Sequence, residues 1–151
     1  MRNLRVGDVP IITSSQGTTR ILIPGAIVLP GSRPAPVRKK VETHEEEATS
    51  FGVVYVNDIA REAMTAAQPS VFPRGSIIVR EKLSKPDDAQ PQLLAVMIKR
   101  ASGFNPKGAD WEFLVLDGTA TEVKKRQKTG ECQECHASQQ DTDFVFRRYA
   151  Q

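Results

Sequence analysis

Four short apolar runs in the middle of the chain predict β-strands. They are rich in β-branched and aromatic residues, and they read FGVVYV (51–56), SIIVREKL (76–83), LLAVMIKR (93–100) and WEFLVL (111–116). The last three are joined by segments of about ten residues that contain the turn-forming stretches KPDDAQP and GFNPKGAD. Such connections are shorter than a parallel crossover requires, so the pattern predicts an antiparallel meander.

A helix is predicted directly after the first of these strands, over DIAREAMTAA (58–67). Asn57 precedes it as an N-cap whose side chain accepts from an early helical N–H, and Asp58 in the first turn complements the helix dipole. Ile59, Ala63 and Met64 recur at helical spacing, so we expect them to form its buried face.

The flanking segments have weaker patterns. In residues 1–38, the four prolines at positions 24, 30, 34 and 36 exclude a long helix, and we expect a strand near residues 20–23 followed by an irregular, partly polyproline-like arm. VETHEEEATS (41–50) is compatible with a short polar helical turn. TATEVKKRQKTG (119–130) leaves a last edge strand and a basic loop as alternatives.

Composition narrows the class of protein without changing this picture. A chain of 151 residues with 39% hydrophobic content suits one domain, here residues 1–151, of β-rich α+β class. The net charge is +3, but the basic residues are dispersed among 18 acidic ones, so no nucleic-acid partner is expected. Apolar runs fall short of the roughly 18 residues that cross a bilayer, so no membrane span is expected either.

The candidate chemistry lies near the C-terminus, in GECQECHASQQ (130–140). The two cysteines of the chain, Cys132 and Cys135, stand directly before His136, one of its two histidines. C-x-x-C-H is the attachment signature of a c-type haem: the thiols reach two vinyl groups, and the imidazole falls under the iron. We therefore predict one covalently attached haem c, with His136 as axial ligand, on a short helix within residues 131–140.

Three other interpretations of the same residues remain. A disulfide between Cys132 and Cys135 would close a very short, strained loop. A thioredoxin-like redox pair would need a βαβ context that the meander lacks. Zinc could use both thiols with His136 and the distant His44, but structural zinc sites take a second closely spaced ligand pair.

With the motif placed, the chain resembles the cytochrome P-460 and cytochrome c′-beta family. The matching stretches span about residues 51–146, and they are YVNDIAREAM (55–64), FPRGSIIVREKL (72–83), MIKRASGFNPKGADWEF (97–113), CQECH (132–136) and DTDFVF (141–146). The resemblance implies a small, β-rich, dimeric, extracytoplasmic haem c protein. It also implies a five-coordinate iron with His136 on the proximal side and no protein ligand on the distal side.

The family has two branches with different functions. Members like cytochrome P-460 carry an extra bond from a strand lysine to the porphyrin, have a polar distal pocket and oxidise hydroxylamine. Members like cytochrome c′-beta lack that bond, cap the iron with apolar side chains including Phe, and bind nitric oxide or carbon monoxide.

Here the position matched to the crosslinking lysine is Arg80, whose guanidinium does not replace an amine in such a bond. Lys82 shares its face of the strand by alternation and remains a candidate crosslink. The inward side chains of the next strand are either Leu94, Val96 and Ile98 or Leu93, Ala95 and Met97, and neither set has a carboxylate to act as a general base. We therefore expect gas binding, nitric oxide foremost, with possible electron transfer; hydroxylamine or nitric oxide oxidation is the alternative.

Several other residues have more than one interpretation. Phe51 and Phe72 are candidate distal caps or core residues. Met64, Met97 or His44 would supply the second axial ligand of a six-coordinate electron-transfer cytochrome, although both methionines lie in apolar patterns typical of a core. The basic run at 124–128 has three interpretations: a segment that contacts the haem propionates, a surface that steers an acidic redox partner, or a solvated surface.

Two further expectations are structural. Trp111 should pack in the core with a partner for its indole N–H, and Asp141 or Asp143 should anchor the turn after the haem helix.

The start MRNLRVGDVPIITSS has no apolar region typical of a secretory leader. Because haem c attachment implies an extracytoplasmic, periplasmic-type location, we expect the sequence to be a mature form whose leader was removed.

Overall fold

A computed structural model describes residues 54–85 and 88–147 in full, together with the backbone of residues 2–6, 9–13, 27–28, 37–39 and 48–53. Its main feature is an antiparallel sheet. Five strands follow one another as a meander: β5 (Ala48–Val56), β6 (Ile77–Leu83), β7 (Leu93–Lys99), β8 (Trp111–Asp117) and β9 (Val123–Gln127). The predicted meander and the β-rich α+β class are therefore confirmed.

In the described residues before the meander there are four short strands. β1 (Arg2–Val6) and β2 (Val9–Thr13) pair with each other, while β3 (Ile27–Val28) and β4 (Val37–Lys39) both pair with β5. The prediction of a helical turn over residues 41–50 is wrong for residues 48–50. These residues form ladder pairs with β4, and such tertiary pairing overrides a weak local preference. The strand predicted near residues 20–23 lies outside the described residues.

Two short helices complete the described fold. α1 spans Asp58–Thr65 and α2 spans Glu131–His136, with the 3₁₀ helix Ala137–Thr142 continuing from α2. A further 3₁₀ turn, Pro106–Gly108, precedes β8. None of the helices in the described ranges has the length and apolar character that a bilayer crossing needs.

Asn57 caps α1 as predicted and also joins it to the sheet. Its Oδ1 accepts from the N–H groups of Ala60 and Ile77, both at 3.1 Å, and its Nδ2 donates to the carbonyl of Gly75 at 2.9 Å. The predicted buried face is wrong at Ile59, which is 47% exposed. The helix instead turns Ala60, Ala63 and Met64 toward the core, and this set has the i, i+3, i+4 spacing of one face.

The sheet has two faces because side chains alternate along each strand. On the first, which we call the helix face, paired positions run across four strands as Val56, Ile78, Met97 and Phe113, and in the next row as Val54, Arg80, Ala95 and Val115. The opposite face carries a second buried cluster that includes Val79, Leu94, Val96, Leu114 and Leu116. Both helices pack on the helix face, because α1 residues and Cys132 join the cluster around Met97 and Phe113.

The C-terminal segment closes over α1. The guanidinium of Arg147 donates to the carbonyls of Met64 and Ala66 at the end of that helix. Helix C-termini leave carbonyls without intrahelical donors, and a cation there also complements the helix dipole. This contact links the segment that follows the C-x-x-C-H motif to the C-terminal end of α1.

Candidate functional site

Helix α2 places all three residues of the C-x-x-C-H motif. It begins after Gly130, whose φ of 121° is a conformation that side-chain-bearing residues rarely adopt. Cys132 and Cys135 are three residues apart and Cys132 and His136 four apart, so all three lie on one side of the helix. Cys132 is half-buried against the core and Cys135 is exposed, and both thiols are free. The predicted short helix over residues 131–140 is confirmed.

His136 is held by its Nδ1 atom, which lies 2.7 Å from the carbonyl oxygen of Phe144. A carbonyl only accepts, so Nδ1 carries the proton and Nε2 keeps its lone pair for a metal ligand bond. The ring packs between Phe113 and Phe146, with centroid distances of 5.2 and 5.0 Å. Burial lowers the pKa of His136, against the opposing effect of the Phe144 hydrogen bond, so the imidazole is neutral at pH 7.

The two thiols differ in environment. Burial raises the pKa of the Cys132 thiol, although the ammonium of Lys125 opposes that shift, so this thiol is protonated near neutral pH. Its backbone N–H points toward Oε1 of Gln127 in β9 at 3.4 Å. A Cys132 thiol whose pKa is raised by burial lacks the low pKa that activates the attacking cysteine of a redox motif.

The turn after the 3₁₀ helix directs the Phe144 carbonyl toward His136. Asp143 and Phe144 both have left-handed backbones, with φ of 55° and 64°. Left-handed geometry costs about 1–2 kcal/mol for each residue with a side chain, so neighbouring contacts must compensate. The backbone N–H groups of Asp143 and Phe144 donate to the carbonyls of Gln140 and Gln139 at 3.1 and 2.7 Å.

Two side chains and one backbone N–H, from three distant segments, hold this turn. The ammonium of Lys99 lies 2.9 and 2.7 Å from the two carboxylate oxygens of Asp143, and both side chains are less than 10% exposed. Oδ2 of Asp143 also accepts from the backbone N–H of Phe72 at 2.8 Å, and Nε1 of Trp111 donates to the Asp143 carbonyl at 2.7 Å. Removing one partner of such a buried ion pair typically costs about 3–5 kcal/mol.

These contacts confirm two predictions and reveal one omission. Asp143 anchors the turn, and Trp111 is fully buried with a partner for its indole N–H. Sequence reasoning missed Lys99, which it included in the predicted strand at 93–100 without giving it a role. The available signal was a lysine at the end of LLAVMIK, because a lysine in an apolar strand is buried only when it is paired.

The helix face is only partly covered beyond Met97 and Phe113. Several neighbouring side chains there are half-buried, Asp117 among them, whereas their counterparts on the opposite face, such as Leu94, Val96 and Leu114, are buried. We call five of these residues the half-buried strip; they are Arg80, Lys82, Leu93, Ala95 and Val115. The strip lies on the same face as α2, and its mixture of apolar and basic side chains suits a flat apolar group with acidic substituents.

The register settles which alternative set of β7 side chains lies on the motif's side of the sheet. Leu93, Ala95 and Met97 share the helix face, while Leu94, Val96 and Ile98 belong to the opposite cluster. Arg80 and Lys82 lie on the helix face together, because Arg80 pairs with Ala95 and Lys82 with Leu93. The structure thus brings Lys82, the candidate crosslink, and Arg80, the position matched to the crosslinking lysine, to the side where α2 packs.

Other candidates lie in the core or outside the description. Phe72 is 1% exposed and packs edge-on against Trp111 with a centroid distance of 5.6 Å, an environment that favours core packing over capping. Met64 and Met97 are buried in the same cluster. The backbone of Phe51 lies in β5 opposite Leu83, but its side chain is outside the described residues, as is His44.

The described donor set bears on the interpretations of the motif, except for a zinc site through His44, which lies outside the described residues. In the part of the chain that the structure describes, no three His, Cys, Asp or Glu side chains assemble into a metal-ion site, and Cys132 and Cys135 form no disulfide. The helix that carries them follows an antiparallel meander rather than a βαβ unit. Free thiols and a neutral imidazole with an available Nε2 are the groups that a haem c requires, so these residues fit that cofactor.

Comparison with known proteins agrees with this donor set. The family model described as cytochrome P-460 matches residues 35–147, well over half of the chain. No curated protein matches the chain. The matched region includes the meander, both helices and the C-x-x-C-H motif.

Proposed function

Because the chain belongs to the cytochrome P-460 family, a family of haem proteins, we propose that it holds one haem c through the thiols of Cys132 and Cys135. His136 serves as the axial ligand, and the other side of the iron binds a small gaseous molecule, nitric oxide foremost. The hydrogen bond from Nδ1 of His136 to the Phe144 carbonyl carries this proposal. This hydrogen bond leaves Nε2 available for the iron, and His136 lies on the same helix as the two free thiols.

The residues around the motif have separate tasks in this proposal. Bound haem supplies an iron with an open coordination position for nitric oxide or carbon monoxide. Phe113 and Phe146 confine the imidazole ring, while the apolar members of the half-buried strip exclude water from the cofactor. Arg80 and Lys82, on the same face, provide positive charge for acidic substituents of the cofactor.

Two features favour gas binding over oxidation. Arg80 stands where the resemblance places the crosslinking lysine. The five residues of the half-buried strip include no carboxylate, and Asp117, which pairs with Leu93 in the same row of the helix face, is already hydrogen-bonded. Its Oδ1 accepts from the backbone N–H groups of Thr121 and Glu122 at 2.8 and 2.7 Å, so the carboxylate is engaged in a turn rather than presented as a base. An uncharged diatomic ligand needs no such base.

Lys82 supports a second candidate function. Its position on the half-buried strip, two residues from Arg80, allows a lysine to approach a cofactor on the helix face. In that case the protein oxidises hydroxylamine or nitric oxide with a crosslinked haem. The six-coordinate electron-transfer alternative has less support, because Met64 and Met97 are packed in the core cluster.

Optical spectra and an intact mass of the purified holoprotein separate these functions. We expect the mass of the chain plus one haem, an ordinary ferrous haem c spectrum, and a shift of that spectrum when carbon monoxide is added. A ferrous Soret band far to the red, with a mass two hydrogens lighter than the sum, would assign the crosslinked oxidase. Failure of the ferrous protein to bind carbon monoxide would instead indicate a sixth protein ligand.

The substitution Lys82→Arg is the matched variant for the mass measurement, with Lys85→Arg, an exposed lysine beyond the end of β6, as control. For a gas binder, both variants keep the spectrum and carbon monoxide binding of the unmodified chain. If Lys82 forms a crosslink, only Lys82→Arg regains the two hydrogens, and it loses the red-shifted band.

Location and assembly belong to the same proposal. We place the protein outside the cytoplasm, since covalent haem attachment in the proteins it resembles occurs there, and we expect a homodimer. The outer edge of β9 is an unfavourable dimer contact, because its exposed Lys124 and Arg126 resist strand-to-strand pairing. Light scattering of the holoprotein would measure the assembly directly.

A further inference from the structure

The buried ion pair between Lys99 and Asp143 lies beyond the residues that would touch the cofactor. Both side chains are less than 10% exposed, and the Lys99 ammonium also lies 4.9 Å from the centre of the Trp111 ring. Lys99 ends strand β7, whereas Asp143 follows the 3₁₀ helix after the motif, so the pair joins segments 44 residues apart. A buried pair of this kind is weak evidence for added stability, because the cost of removing both charges from water offsets much of their attraction.

The pair acts on two consecutive residues with left-handed backbones. The carboxylate of Asp143 accepts hydrogen bonds from the Lys99 ammonium and the Phe72 N–H, and its backbone carbonyl accepts from the Trp111 indole. Both the side chain and the backbone of Asp143 are therefore restrained. Phe144 comes next, with a φ of 64°, and its carbonyl is the acceptor for Nδ1 of His136. The orientation of that carbonyl therefore depends on how Asp143 is held.

We propose that Lys99 and Asp143 are positioning residues that set the electron-donating strength of the proximal histidine through the Phe144 carbonyl. A hydrogen bond from the far nitrogen of a ligating imidazole fixes its tautomer and raises its basicity. A more basic axial ligand stabilises ferric over ferrous iron, and hydrogen bonding around the ligand is one means by which proteins tune a haem potential. The inference rests on the proposed haem attachment at His136.

Two variants test the pair in the holoprotein. Lys99→Met removes the ammonium at similar length, and Asp143→Asn removes the negative charge at similar shape. We expect both to lower the iron–histidine stretching frequency in the resonance Raman spectrum of the ferrous protein and to move the midpoint potential to a more positive value. If Lys99→Met fails to fold, Asp143→Asn carries the test by itself.

Two further variants distinguish tuning from simple stability. Lys99→Arg keeps the charge and should restore the stretching frequency and potential close to those of the unmodified protein. Arg100→Met breaks the adjacent ion pair with Glu112, whose Oε2 lies 2.6 Å from Nε of Arg100 and whose side chain is 5% exposed. This control should unfold at lower denaturant concentration without moving either haem signal, because Glu112 lies on the opposite face of the sheet.

The outcomes separate the two proposals. Lower stability with an unchanged stretching frequency and potential in Lys99→Met and Asp143→Asn would reduce the pair to a structural role and overturn the inference. Equal shifts in Arg100→Met would overturn it too, because a general loosening would then explain them. If the unmodified protein carries no covalent haem, or shows no iron–histidine band, the proposed attachment itself fails and the inference fails with it.

Discussion

At the scale of single residues, the site depends on which atoms of His136 and the two cysteines are already engaged. Nδ1 of His136 is committed to the Phe144 carbonyl, and burial keeps the ring neutral by lowering its pKa. Cys132 is packed beside the core while Cys135 is exposed. In the proposed attachment the two thiols would therefore meet the haem from different depths, although they are on one side of the same helix.

Replacing the exposed thiol tests this arrangement. In Cys135→Ala we expect haem held by at most one thioether, because only Cys132 remains to react. Mass spectrometry of the denatured holoprotein, with tryptic mapping of the haem peptide, would measure the number of thioether bonds. Ser138→Ala, an exposed change in the adjoining 3₁₀ helix, should retain both bonds. Two thioethers in Cys135→Ala would refute the assignment of the attachment site.

At the scale of elements, the turn between β8 and β9 shows how one carboxylate organises a connection. Asp117 ends β8, and its side chain accepts from the backbone N–H groups of Thr119, Thr121 and Glu122. Burial alone would raise the pKa of Asp117, but hydrogen bonds from Thr119, Glu122 and Thr121 outweigh it and lower the pKa to about 2. This turn sets the register of β9, the strand that supports α2 through Gln127.

The substitution Asp117→Asn should lower the free energy of unfolding by about 1–2 kcal/mol at pH 7, since an amide accepts fewer and weaker hydrogen bonds. The pKa of Asp117 is depressed from 3.8 to about 2 in the folded chain, so its stabilising effect is present above pH 3.8 and lost as pH falls through about 2. Urea unfolding at several pH values would measure both quantities. The gap between the two proteins should therefore narrow below pH 4.

Glu122→Gln is the matched control for this turn. Glu122 has an exposed side chain paired with Lys124, and exposed pairs contribute little. Its substitution should leave the unfolding free energy at pH 7 nearly unchanged. A pH-independent difference between Asp117→Asn and the unmodified chain would show that the ionised carboxylate is not what stabilises the turn.

At the scale of the whole molecule, the two faces of the sheet are covered to different extents. The opposite face is buried around Leu94, Leu114 and Leu116, whereas the helix face leaves the half-buried strip beside α2. A cofactor that is bound by the folded chain and not by the unfolded chain shifts the folding equilibrium toward the native state. Cofactor attachment should thus affect the helix face selectively.

Comparing the haem-free and haem-loaded forms of the chain would measure the effect of cofactor attachment on the helix face. We expect the haem-loaded form to have the higher thermal midpoint, with slower amide exchange in α2 and in the strands of the half-buried strip. Amides of α1, which Asn57 and Arg147 hold from its two ends, should change much less and act as an internal reference. Uniform protection across both helices would contradict a cofactor bound on the strip beside α2.

Local sequence patterns determined much of this protein. The four central strands, helix α1 with its Asn57 cap and the short motif helix were predictable because strand alternation, capping and the C-x-x-C-H spacing act over a few neighbouring residues. The same patterns failed at Ile59, where only packing decides which side of a short helix faces the core. They also failed at residues 48–50, which pair with a strand earlier in the chain.

Tertiary structure alone decided how the site is held. Sequence spacing placed Cys132, Cys135 and His136 on one helix, but it contains no information that Phe144 would accept from His136 or that Lys99 would pair with Asp143. Nor could it choose between the two sets of β7 side chains, because alternation defines two faces and only the packing of α2 distinguishes them. Contacts between segments far apart in sequence depend on the register of the whole sheet, and that register exists only once the chain has folded.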